Sequence, residues 1–210
     1  GTHRAQAHAR RGLTAMQASR RLLKTVLLLW LAALSVPAAA ADPEVSVTSR
    51  EGRFFVSSST PVAASAEIAW RVISDYDRLA EFVPDLRISR VISAPGKPLL
   101  VEQGGEAGFL VFRFSINVVL EITEAAPQRL EFRAIRGNMR SMRGEWRIGK
   151  TASGIRLEYS AELEPSFWVP PLIGPAVMRR DIAAQIGGVV REIERRQAAL
   201  APSSDMSQEK

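Results

Sequence analysis

The chain has 210 residues, 46% of them apolar and 24% charged, with no cysteine and two histidines. Its net charge of +6 resides in residues 1–41, where six basic side chains meet no acid; the 22 basic and 22 acidic residues that follow cancel. A neutral remainder argues against nucleic acid as a partner. Because His3 and His8 both precede residue 41, the rest of the chain cannot build Ser-His-Asp or Cys-His triads, His/Cys zinc sites, haem or iron–sulfur ligation, or disulfides.

Residues 1–15 precede Met16, lack apolar periodicity and are expected to be unstructured. From Met16 a short cationic stretch (Arg20, Arg21, Lys24) leads into an apolar run of 11 residues from Val26 to Val36, then Pro37 and four alanines. Cationic, apolar and Ala-x-Ala segments in that order are the three parts of a secretory signal peptide, so 16–41 is expected to be cleaved after Ala40 or Ala41. The apolar run falls short of the roughly 20 residues that span a bilayer. Export to the periplasm or outside the cell is the expectation for 42–200, one domain, with 201–210 a disordered Pro/Ser-rich tail.

Residues 45–49 and 54–58 read as two strands about Glu51-Gly52. Ala66, Ala69, Trp70, Ile73 and Tyr76 share one face of a helix over 63–76 with Ser65 as its N-cap. A short helix over 78–82 follows, closed by Pro84. A meander comes next: strands at 86–92 and 99–103, then one long strand over 109–122, where Leu110, Phe112, Phe114, Ile116, Val118, Leu120 and Ile122 hold one parity. Leu130/Phe132/Ala134, Met142/Trp146/Ile148 and Ile155/Leu157/Tyr159/Ala161/Leu163 repeat the alternation, with Arg and Glu on the other parity. Such a sheet is antiparallel and dry on one side only. Its cover is a helix from about 174 to 199, striped by Met178, Ile182, Ile186, Val189 and Ile193. The fold class is therefore α+β.

A strand pair, two short helices, a meander and one long terminal helix is the order of the helix-grip fold, a curved antiparallel sheet wrapped around its C-terminal helix. The run Ala69-Trp70-Arg71-Val72-Ile73-Ser74-Asp75-Tyr76-Asp77, with Phe82-Val83-Pro84 after it, resembles the coenzyme Q-binding and polyketide cyclase/dehydrase-like families of the START-like (SRPBCC) superfamily. Ser89-Arg90-Val91, Gly144-x-Trp146 and the long helix are similar too, so the resemblance covers about 45–199. It implies a hydrophobic tunnel between sheet and helix that takes lipids, quinones or polyketides, and it implies a ligand class, not a reaction.

On that footing the expected ligand-binding residues are Phe82, Gln103, Phe112, Phe114, Trp146, Tyr159, Phe167, Trp168, Met178, Ile182, Gln185 and Ile186, with no cofactor, no metal and no assigned catalytic residue. Gln103, Arg90 and Arg136 lie near the dry parity of their strands, either pointing inward or ending in water. Asp75-Tyr76-Asp77 reads as a helix end, Asp77 capping the next helix and Tyr76 wedged beneath, or as an acid/base cluster. Gly187-Gly188 inside the long helix costs about 1 kcal/mol per glycine, which points to close packing, to room for a ligand or to plain drift. The apolar segment Phe167-Trp168-Val169-Pro170-Pro171-Leu172-Ile173 is either a lid that touches a membrane transiently or a buried staple. The leading function is an exported binder or transporter of a hydrophobic ligand. Its rivals are a cyclase or dehydratase, needing a base among Asp75, Asp77, Glu102, Glu106 or Tyr159, and an interaction module docking through the apolar segment.

Overall fold

The computed structural model describes residues 43–109 and 112–200; the expected leader and tail lie outside them. Strands β1 (Val45–Arg50) and β2 (Arg53–Val62) form a hairpin. Glu51 and Gly52 both take positive φ, 53° and 79°, the left-handed pair that a two-residue turn requires. Phe54, Val56, Ser58, Thr60 and Val62 alternate into the interior along β2. Helix α1 (Ala66–Ile73) is capped by the Ser65 hydroxyl, which accepts from the Ile68 N–H at 3.3 Å, and it buries Ile68, Ala69, Val72 and Ile73.

A 3-10 turn (Tyr76–Arg78) and one helical turn, α2 (Leu79–Phe82), come next. Tyr76 is buried beneath them as expected. Asp77 does not cap α2. Its Oδ1 instead accepts the Val91 N–H at 2.8 Å, a long-range bond that ties the turn to the next strand and leaves α2 without a side-chain cap. Val83 is extended because Pro84 follows it.

The remaining strands are β3 (Leu86–Val91), β4 (Leu99–Phe109), β5 (Phe112–Ala125), β6 (Arg129–Gly137), β7 (Met139–Thr151) and β8 (Gly154–Pro165). All eight form one antiparallel sheet in the order β1-β2-β8-β7-β6-β5-β4-β3. The single strand expected over 109–122 is corrected: β4 runs on to Phe109, which pairs with Phe112, so the chain reverses between them. Alternation survives such a reversal and hides it from a reading by parity alone.

Helix α3 (Gly174–Ala198) lies against the concave face of this curved sheet, in the helix-grip arrangement. Ile186, Val189, Val190 and Ile193 meet a core that includes Val101, Leu120, Leu130, Ile155 and Leu157. The convex face carries Arg–Glu pairs across neighbouring strands, among them Arg133 with Glu121, and Glu162 shared by Arg53 and Arg143. Pairs so exposed contribute little each. The C-terminal half of α3 is fixed by charge as well: Glu192, buried, accepts from Arg195 and Arg196, and Arg196 also holds Asp75 at 2.7 Å. Those guanidiniums hold the Glu192 carboxyl down at about 2. Asp75 is thus one end of a structural ion pair. No helix among the described residues is long and apolar enough to cross a membrane.

Candidate functional site

Between the sheet and α3 lies a cavity with two chambers, an outer one of about 200 Å³ and an inner one of about 160 Å³. Its origin is visible in β4. Where other strands place large side chains inward, β4 carries Gly104, Gly105, Ala107 and Gly108 along the outer chamber. Gly105 is also obligatory: a Cβ there would lie 2.3 Å from the Asp85 carbonyl oxygen.

Phe114, Phe167 and Met178 line the outer chamber, and the Phe114 and Phe167 rings stack at 4.8 Å. Trp146 and Ile186 line the inner one. Leu86, Gln103, Met142, Tyr159, Ile182 and Gln185 border both, forming a waist. Nine of the twelve expected residues are thereby brought to one cavity. Phe112 opens β5, and its side chain lies outside the described residues. Two expectations are corrected. Phe82 borders neither chamber and packs against the core, with the Arg196 guanidinium 5.8 Å from its ring centre. Trp168 is 71% exposed and points out of the cavity.

The segment before α3 therefore does two jobs. Phe167, Val169, Pro170 and Ile173 wall the outer chamber, while Trp168 and Leu172, the latter 94% exposed, face outward. Close packing explains Gly188, where a Cβ would sit 2.3 Å from the Phe82 carbonyl oxygen, but not Gly187, where it would meet chiefly the Arg191 guanidinium at 3.1 Å.

Polar groups in the cavity are few. The Tyr159 ring packs against Trp146 at 4.7 Å, and its hydroxyl has no partner among the described residues; burial pushes its pKa up. Gln103 points inward and donates to the Ser89 hydroxyl at a long 3.4 Å, whereas Arg90 pairs with Glu102 outside and Arg136 is exposed. Gln185 makes no side-chain hydrogen bond among the described residues. At the inner end Tyr76 donates to Glu124.

Of the carboxylates considered for acid/base work, Glu106 borders the outer chamber but is paired with Arg87 and Arg113, which hold its pKa down. Asp75, Asp77 and Glu102 border neither chamber. Sequence reasoning missed Asp181. It lines the outer chamber, accepts the Gly108 N–H at 3.0 Å, and has its pKa raised, chiefly by burial. The signal was present: Asp181 and Gln185 stand four apart beside Ile182, hence on one helix face.

An apolar cavity with a small set of convergent polar groups is a small-molecule site in its general chemistry. The fold recurs in solved structures. A START superfamily protein from Mycobacterium smegmatis is 18% identical, with 70% of this chain and 98% of that one covered at a TM-score of 0.55. A STAR-related lipid transfer protein (fragment) from Xanthomonas axonopodis is 15% identical, covering 76% and 97% at 0.57. The Zhui aromatase/cyclase from a Streptomyces species is 18% identical, covering 69% and 95% at 0.55. At these identities the likeness shows the fold alone. No curated protein matches by sequence. The family model for polyketide cyclase/dehydrase and lipid transport matches residues 62–188, from the end of β2 into the middle of α3. With more than half of its length so matched, the chain belongs to the polyketide cyclase/dehydrase and lipid transport family.

Proposed function

We propose that this protein is exported and binds or carries a hydrophobic ligand, lipid-, quinone- or polyketide-like, in a tunnel made of the two chambers between the sheet and α3. The observation that carries the reading is the cavity lining: apolar walls with a few neutral hydrogen-bonding groups at the waist. Burying an acyl or isoprenoid chain there gains about 0.8 kcal/mol per CH₂, enough for useful affinity without dense polar contact. Export rests on the cationic, apolar and Ala-x-Ala pattern of residues 16–41. Trp168 and Leu172, exposed beside the outer chamber, are the surface through which the protein would touch a membrane while its ligand passes.

A second reading, a cyclase or dehydratase, is favoured by one specific feature. Asp181 is a half-buried carboxyl in the same chamber, its pKa raised chiefly by burial, and a carboxyl so placed can serve as a general base. Native mass spectrometry of protein recovered from the periplasm, together with uptake of N-phenylnaphthylamine by the stripped protein, tests the first reading. A retained small hydrophobe and saturable dye uptake are expected. Ligand-free protein that takes up no dye overturns it, and conversion of a bound polyketide-like compound would move the protein to the second.

A further inference from the structure

We infer that the waist of the cavity recognises an uncharged hydrogen-bonding group set between two apolar arms, so that the ligand is a neutral lipid-like molecule with an internal carbonyl or similar group. This rests on the binding reading above and narrows it. Three side chains make the waist polar: Tyr159, Gln103 and Gln185, on β8, β4 and α3, all bordering both chambers. Their hydrogen-bonding capacity is largely unspent. The Tyr159 hydroxyl and the Gln185 carboxamide bond to nothing among the described residues, and Gln103 makes one long bond to Ser89. The three side chains are half-buried and border the cavity, so a bound acceptor group would supply the partner their free donors lack.

Charge decides what that group is. No Arg or Lys borders either chamber among the described residues. The ionisable side chains that do, apart from tyrosines, are the acids Glu106 and Asp181 in the outer chamber, and Glu124 holds the Tyr76 hydroxyl at the inner end. A carboxylate or phosphate head would find no cationic side chain in the lining, because Arg87 and Arg113 beside it are already paired with Glu106, and lodging it there is an expensive transfer. A neutral carbonyl suffers no such penalty and can accept from both a phenol and a carboxamide N–H. Apolar walls on both sides of the waist, Phe114 and Met178 outward and Trp146 and Ile186 inward, require the polar group to be internal in the ligand.

The test uses stripped protein loaded with N-phenylnaphthylamine and displaced, from neutral phosphatidylcholine vesicles, by three probes of equal length: a symmetrical long-chain dialkyl ketone, the alkane and the fatty acid. The ketone should displace at roughly tenfold lower concentration than the alkane, and the acid least well, one good buried hydrogen bond being worth about tenfold. Tyr159→Phe and Gln185→Met should each cut the ketone's advantage over the alkane several-fold, with circular dichroism of the wild-type form. Equal displacement by ketone and alkane, strongest displacement by the acid, or variants that weaken both neutral probes alike would overturn the inference while leaving the cavity a binding site. Failure of the dye to bind at all removes the binding reading, and this inference with it.

Discussion

The two halves of α3 look alike in sequence and differ in work. Toward the C-terminus, Gly187, Gly188, Val189, Val190, Glu192 and Ile193 are all buried, and Ile193 is fully so. Toward the N-terminus, Val177, Met178 and Asp181 are only half-buried and border the outer chamber. The apolar stripe is continuous through both. The difference comes from what stands opposite: the Phe82–Pro84 turn closes onto Gly188, whereas the glycines and Ala107 of β4 leave space across from Met178. One helix thus serves as core along one stretch and as a cavity wall along the other, and its partners decide which.

The sharpest test of that division compares Ile193→Ala with Met178→Ala. Removing the fully buried side chain should cost about 2–5 kcal/mol, because the site cannot collapse around the loss. Removing Met178, which already borders empty space, should cost about 1 kcal/mol and show instead in dye affinity. Urea midpoints read alongside dye titrations give both numbers; equal stability losses would erase the distinction.

A smaller effect separates the adjacent glycines. Gly188→Ala drives a methyl into the Phe82 carbonyl and Pro84, and should destabilise by about 1–3 kcal/mol. Gly187→Ala meets chiefly the Arg191 guanidinium at 3.1 Å, an exposed side chain free to move, and should gain up to about 1 kcal/mol of helix propensity. Thermal melts of the two variants should shift in opposite directions.

The smallest stability effect belongs to the outward side chains of the segment before α3. Trp168→Ser combined with Leu172→Ser should change stability by no more than about 0.5 kcal/mol, both being exposed. The same pair should lower flotation with neutral vesicles several-fold. Phe167 is unsuitable for this purpose because its ring stacks on Phe114 inside the chamber. Unchanged flotation would leave the exposed pair without a role at membranes.

The sheet and the long helix were legible because period-2 and helical stripes are direct records of which face is dry, as in Leu120/Ile122 and Ile186/Val189/Ile193. The β4–β5 reversal was not, since parity continues through it, and neither was the role of Asp77, whose partner Val91 is 14 residues away. At the site, Gln103, Tyr159 and Gln185 could be found as polar residues on apolar faces. Asp181 was masked by its neighbours Arg179 and Arg180, which make that turn read as a solvated flank. Phe82 and Trp168 were misplaced because an aromatic side chain beside a cavity can face either way, and only packing decides.

The sheet order ends in β1 on one side and β3 on the other, and these two edges are not bonded to each other; α3 runs along the opening and touches β1, β2 and β4. In a closed barrel, strand number and shear fix the girth, and widening it breaks a ladder of backbone hydrogen bonds. Here the seam is a helix held by side chains, so the bore can yield by small shifts of α3 with every strand pairing intact. The girth of the cavity is accordingly set by soft packing contacts, whereas Gln103 and Tyr159 are held in place along it by strand pairing.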